Sequence, residues 1–300
     1  MKQRKCLIAG LPDAGKSTYL GALWYVINND PNKDSFMLKA SENNPPENVE
    51  QLVHLSNKWM RVEDMDRTSV DVSNNISFNL TPNEGGEDFV LNVPDFKGES
   101  IRQVITMNQP KEFDEWCESS DTLLFLMSDV KPGRFADDYY IDEDEVEEEK
   151  TSQQDTPSQE SIPEFDPRKM PIASQNMLVL RFLAEKKQFS KVVICITAWD
   201  KVMSAFPNKS PEEYVREEAP ALFNFVKYYF PLVMFFGLSA QGEEYNYEEY
   251  DGEDGQKHKR VTKECKTRLM NATRKGSRAF VVADKEKSFD ITIPIAELLK

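Results

Sequence analysis

The sequence predicts an α/β protein of three layers, with helices on both faces of a mixed, mostly parallel sheet. Three observations carry that prediction. Cys6–Ala9, Thr122–Met127, Val192–Thr197 and Val233–Leu238 are short unbroken apolar runs, the pattern of strands buried on both faces. Segments with helical periodicity lie between them, the alternation that builds a parallel sheet. Most of these runs end in a polar cluster, and in open α/β sheets ligands gather at the carboxyl ends of the strands.

Each element has its own reason. Lys5–Ala9 reads as the first strand, and Ser17–Ile27 carries Leu20, Ala22, Leu23, Trp24 and Val26 at helical spacing. Asn28–Asn48 is polar and holds Pro31, Pro45 and Pro46, so it reads as a loop. Val49–Val62, with Leu52, Val53, Leu55, Trp59 and Met60, reads as a helix inserted ahead of Asp66-Arg67-Thr68-Ser69. Asn75–Leu80 alternates Ile76, Phe78 and Leu80, and the turn-rich Thr81–Gly86 joins it to Phe89–Val93 as an antiparallel hairpin at the sheet edge. Helical periodicity returns over Ser100–Trp116, Pro171–Lys187 and Pro211–Tyr229, the last with proline in its first turn. Phe280–Ala283 and Phe289–Ile293 read as short strands and Pro294–Lys300 as a closing helix.

With 300 residues, 39% of them hydrophobic, the chain has material for a sizeable core, and it reads as a single domain over residues 1–300. Its net charge of −15 is unevenly spread. Residues 136–166 hold thirteen acids and one lysine, a balance of −12, within an acidic insert over 129–170 too poor in apolar residues to offset its ordering entropy. A second charged insert, over 243–278, places seven acids in 243–254 before nine Lys/Arg and one Glu in 257–278, a −7 beside a +8 that could close on itself. The four cysteines are far apart, no secretory h-region opens the chain, and no apolar run approaches the roughly 18 residues of a membrane span. A cytoplasmic, reducing setting is expected.

The clearest chemistry is Gly10-Leu11-Pro12-Asp13-Ala14-Gly15-Lys16-Ser17, the pattern G-x-x-x-x-G-K-[ST] between a strand and a helix. The glycines let the backbone turn its N–H groups around phosphates, so Gly10, Asp13, Ala14, Gly15, Lys16, Ser17 and Thr18 form the expected cradle. Lys16 reaches the β- and γ-phosphates, the Ser17 hydroxyl ligates Mg²⁺, and the helix N-terminus adds its dipole. Asp95, just past the apolar Phe89–Val93, stands where phosphate-loop proteins place the carboxylate that holds the Mg²⁺ shell.

The ordered series resembles the Ras-like and translation-factor P-loop GTPases, from Lys5 to Gly242. The matching pieces are Gly10–Ser17 as phosphate loop, Thr68 as the switch I threonine, Asp95-x-x-Gly98 as switch II, Thr197-Ala198-Trp199-Asp200 as the base-reading motif, and Ser239-Ala240 as the loop behind the base. Leu11–Leu20, Gly276–Phe280 and Ile291–Leu299 resemble bacterial double-GTPase proteins of conflict and defence systems. The resemblance implies GTP/GDP and Mg²⁺ as cofactors and a switch acting through a protein partner. Ser17, Thr68 and Asp95 would hold the metal, Gly98 would sense the γ-phosphate, and Asp200 would read the guanine amide edge.

The series departs from the family pattern in two places. Ala198 replaces the lysine whose stem lies along the base, leaving Trp199 or Lys201 to cover it. Gly98 is followed by Glu99-Ser100 rather than a water-orienting glutamine, so Glu99 as base, a partner's residue, or slow turnover are the open readings. Ser69 and Thr81 are alternatives to Thr68. An ATP-dependent ATPase or kinase and a pseudo-GTPase scaffold are the alternative functions.

Other residues read more plainly. His54 is followed one turn on by Lys58, which makes no metal pair, and His258 is the only other histidine, which leaves no Ser/His/Asp triad. Trp24, Trp59 and Trp116 read as core. The basic stretch lacks interleaved aromatics or a known module, so a nucleic-acid partner is not expected.

Overall fold

The apolar run at Cys6 becomes the middle of the molecule. In the computed structural model, which describes residues 4–42, 44–46, 49–65, 76–93, 111–128, 170–251 and 256–300, β1 (Lys5–Gly10) lies between two later strands and runs parallel to both. Because side chains alternate across a strand, Cys6 and Ile8 enter one core and Leu7 and Ala9 the other. All four residues are buried.

In chain order the elements after β1 are α1 (Lys16–Asn29), β2 (Leu38–Ala40), α2 (Val49–Arg61), β3 (Ile76–Pro82), β4 (Phe89–Val93), α3 (Lys111–Ser119), β5 (Thr122–Met127) and α4 (Ile172–Lys186). They continue with β6 (Lys191–Thr197), α5 (Trp199–Ala205), α6 (Pro211–Glu218), α7 (Pro220–Tyr229), β7 (Met234–Ser239), β8 (Tyr247–Asp251), β9 (Lys257–Val261), α8 (Lys263–Arg274), β10 (Phe280–Ala283), β11 (Glu286–Ser288) and α9 (Ile293–Leu299). Among the described residues the main sheet has nine strands in the order β11-β10-β7-β6-β5-β1-β4-β3-β2. Five central strands, β7-β6-β5-β1-β4, are parallel. The expected hairpin pairs β3 with β4, setting Phe78 opposite Leu91. α1, α2 and α9 pack on one face, α4 to α7 on the other, giving the three-layer α/β architecture. The acidic insert, apart from its last residue, and the first part of the helix expected over Ser100–Trp116 lie outside the described residues.

Four details differ from the expectation. The polar segment 28–48 contributes the edge strand β2, only three residues long, which pairs with β3. A second antiparallel edge forms where β10 pairs with β7 and β11 follows it. The single helix expected over Pro211–Tyr229 is two helices, because Pro220 offers no N–H and drives Ala219 out of the helical region to φ −139°, ψ 63°. Phe289–Ile293 is not a strand: Asp290 Oδ1 accepts from the Thr292 amide at 2.9 Å and hydroxyl at 2.6 Å, and Oδ2 from the Met37 amide at 2.7 Å, folding the run into a turn against the β2 edge.

The charged segment after β7 is ordered where it is described. β8 and β9 form a separate hairpin, and Tyr245, Val261, Cys265 and Leu269 make a small core with Val62 from the end of α2. The opposite charges meet: Glu248 pairs with Arg260 at 2.7 Å, Glu249 with Lys257 at 3.3 Å, and Glu243 with Arg268 at 2.6 Å. These exposed pairs add little stability, so the apolar cluster is what anchors the hairpin. All four cysteines are buried free thiols, and burial pushes Cys6 and Cys117 up to about 12. No described helix is long and apolar enough to cross a membrane.

Candidate functional site

The phosphate loop leaves β1 at the carboxyl edge of the sheet and turns tightly. Gly10 (φ +155°) lies so close to β5 that a Cβ there would stand 2.4 Å from the Leu126 carbonyl oxygen. Asp13 (φ 61°) and Gly15 (φ 82°) adopt left-handed backbone, which for Gly15 carries no steric penalty. The turn closes with the Ala14 amide donating to the Leu11 carbonyl at 3.2 Å, and α1 starts with the Tyr19 amide on the Gly15 carbonyl at 2.9 Å. Gly15 has no side chain to cap α1, so the first-turn amides keep their affinity for an anion.

Lys16 Nζ donates to the Gly10 and Leu11 carbonyls at 2.8 and 2.9 Å, which holds the ammonium across the mouth of the loop. Ser17 and Thr18 follow, half-buried, on the first turn of α1. One residue on, the Tyr19 hydroxyl donates to the Ile291 carbonyl at 3.0 Å, tying α1 to the C-terminal segment.

The residues expected to read the base come from β6 and β7. A Cβ on Gly15 would lie 3.6 Å from the Thr197 side chain, so the end of β6 sits against the phosphate loop. The Thr197 hydroxyl is turned inward, donating to the Met127 carbonyl at 3.2 Å. Ala198 takes a left-handed turn (φ 51°) that starts α5 and brings Asp200 into its first turn. Ser239, at the end of β7, donates its hydroxyl to Asp200 Oδ1 at 2.6 Å and accepts the Gly242 amide at 3.2 Å. Ala240 follows, its carbonyl taking the Trp59 indole N–H at 2.7 Å.

Trp199 does not cover a base. It is fully buried in the second core, edge-on to Tyr214, and fits only because Gly237 has no side chain, since a Cβ there would fall 2.2 Å from the indole. Lys201 remains at the surface, where it pairs with Glu244 at 2.8 Å. Lys287 on β11 is a neighbour that no motif marks: burial lowers its pKa, and the Asp200 carboxylate opposes that shift.

Gly10, Asp13, Ala14, Gly15, Lys16, Ser17, Thr18, Thr197, Asp200, Lys201, Ser239 and Ala240 all lie along the carboxyl edge of β1, β6 and β7 and the turns that follow. Thr68, Asp95, Gly98 and Glu99 fall outside the described residues. β4, whose Asn92 pairs with Leu7, ends at Val93 on that same edge, two residues before Asp95.

Two residues around the site are given no role at it by the sequence, although Arg278 falls within Gly276–Phe280, one of the stretches that carry the double-GTPase resemblance. Trp59 reads as core and Arg278 as one of a basic run, yet both bond the loop after β7. The position of Arg278 next to an apolar strand also hints at burial.

Comparison with protein families matches the Double-GTPase 1 model over residues 7–298. The chain belongs to the Double-GTPase 1 family. This chain is thus a P-loop GTPase by family, and that membership supports GTP binding. Comparison with curated proteins returns no match. Among solved structures it is similar to sup35 complexed with GDP (12% identity, 81% of this chain and 38% of that one, TM-score 0.34). It is also similar to a point variant of Era from Aquifex aeolicus bound to GDP.AlF4- (14%, 80% and 52%, 0.32). A third is the S. cerevisiae Ski7 GTPase-like domain bound to GDP and inorganic phosphate (14%, 80% and 43%, 0.36). The Double-GTPase 1 chain therefore spans about half or less of the length of these structures.

Proposed function

We propose that this protein binds GTP with Mg²⁺ at the carboxyl edge of the sheet, hydrolyses it, and passes the resulting change to a protein partner. The observation that carries the reading is the junction of two half-sites. Gly15 of the phosphate loop lies against Thr197 of the base motif, and Ser239 holds Asp200 at 2.6 Å, so a phosphate cradle and an oriented carboxylate share one edge. A carboxylate can accept from both donors of the guanine amide edge, which adenine lacks.

Ser17 fits a metal role: its hydroxyl follows Lys16 on the uncapped first turn of α1, and with Thr68 and Asp95 it makes an all-oxygen donor set of the kind Mg²⁺ prefers. Bound there, the metal would neutralise phosphate charge. Lys16 is already held at the mouth of the loop, so it reaches phosphate by exchanging two carbonyls for phosphate oxygens. Thr68 and Gly98 would respond to the γ-phosphate, and Glu99 is the candidate base.

The absence of a glutamine after Gly98 and the Ala198 replacement favour a second reading, a scaffold that holds nucleotide without turnover. Phosphate release separates the two. Hydrolysis is expected to be slow for the protein alone, within the range of unassisted GTPases at about 10⁻⁴ to 10⁻² s⁻¹, and to disappear in Glu99→Ala if Glu99 is the base. Saturated protein that releases no phosphate, with or without cell extract, would leave the scaffold reading standing.

A further inference from the structure

We infer that Arg278 and Trp59 position the loop Ser239–Gly242, and so act as positioning residues for the base half of the site. The inference rests on the reading that this loop backs a guanine base.

Arg278 is 3% exposed, just before β10, far from the phosphate loop in sequence. Among the described residues its hydrogen bonds go to neutral oxygens: Trp59 carbonyl at 2.6 Å, Gln241 carbonyl at 3.0 Å, Tyr245 hydroxyl at 2.8 Å and Thr273 hydroxyl at 3.4 Å. Its guanidinium also lies 4.0 Å from the centroid of the Trp59 ring. Burial lowers its pKa, as expected for a charge that no described carboxylate bonds directly. A methionine or leucine would fill such a space at less cost, so stability alone gives no reason for a guanidinium here. What the planar fork supplies is geometry: fixed donors that reach the end of α2, the loop after β7, Tyr245 and α8 at once.

Three consecutive loop residues are held from behind. The Ala240 carbonyl takes the Trp59 indole N–H at 2.7 Å, and the Gln241 carbonyl takes Arg278 Nε. Gly242 (φ +96°) lies against the Arg278 backbone, where a Cβ would come within 2.7 Å of its carbonyl oxygen. Gly242 in turn donates to the Ser239 hydroxyl, which donates to Asp200. The sequence of contacts runs from Arg278 and Trp59 through the loop to the carboxylate, and none of these bonds involves Lys16 or Ser17. Loosening the support should therefore cost base affinity and leave the phosphate half intact.

Trp59→Phe keeps an aromatic ring beside the guanidinium while removing the donor to Ala240 and part of the buried indole; Arg278→Lys keeps the charge and removes the fork. Binding of GDP and of Mg-tripolyphosphate, a probe of the phosphate half alone, is measured by calorimetry for wild type and both variants. GDP affinity is expected to fall about tenfold in each, the size of one lost hydrogen bond at the upper end of its range, through faster GDP release. Tripolyphosphate affinity is expected to stay within about twofold. Equal losses for the two ligands, or unchanged GDP affinity in Trp59→Phe, would overturn the inference, and Trp59→Phe decides if Arg278→Lys does not fold. Wild type that takes tripolyphosphate but not GDP would overturn the base reading itself, and this inference with it.

Discussion

Lys16→Ala is expected to weaken binding of a fluorescent GTP analogue by about 100-fold or more, because each charge-assisted contact to phosphate is worth about 1.5–3 kcal/mol and the ammonium makes more than one. The size follows from how the side chain is held. The Gly10 and Leu11 carbonyls that it bonds belong to the loop expected to wrap the phosphates, so nucleotide entry would trade loop oxygens for phosphate oxygens without moving the lysine far. Removing the side chain leaves those carbonyls beside a half-buried position that water can reach, so the melting temperature should move by only a few degrees. Equilibrium titration with thermal unfolding checks both halves. An alanine variant that melts normally and binds normally would mean the nucleotide sits elsewhere.

Asp200→Asn is expected to change which base is accepted rather than whether phosphate is held. The Asp200 carboxylate, fixed by Ser239 at 2.6 Å, can accept from the ring N–H and the exocyclic amine of guanine. An asparagine puts an N–H₂ donor opposite one of those donors, and a site left with mismatched buried polar groups loses about 100-fold or more. Xanthine carries a carbonyl where guanine has its amine, so xanthosine triphosphate should bind the variant better than GTP does. Competition among GTP, xanthosine triphosphate and ATP reads this out. An unchanged order of preference in the variant would remove Asp200 from base reading.

Four of the five central strands, β1, β5, β6 and β7, and the phosphate loop are legible in the sequence because their causes are local. An unbroken apolar run can bury both faces only in the interior of a sheet, and Gly10 to Ser17 performs its chemistry within eight neighbouring residues. β2 is not legible, since three residues carry no periodicity and its place depends on pairing with Thr81 and Pro82 across the sheet. The strand expected at Phe289–Ile293 fails through Asp290, whose carboxylate bonds backbone groups as far away as Met37. Trp199 reads as a replacement for the missing lysine because it interrupts a motif, and only the register that sets Gly237 beneath it shows that it belongs to the core. The support behind the loop after β7 is the least legible part. Trp59 reaches Ala240 across 181 positions and Arg278 reaches Trp59 across 219, distances over which no spacing rule applies.

The central claim is that the loop at the end of β1 and the carboxylate after β6 form one guanine-nucleotide site. Parallel titrations of the wild-type protein with fluorescent GTP and ATP analogues in Mg²⁺ test it most directly. GTP is expected to bind at least about tenfold more tightly than ATP, the least that one satisfied pair of buried hydrogen bonds should provide. ATP binding as tightly as GTP, or tighter, would contradict it.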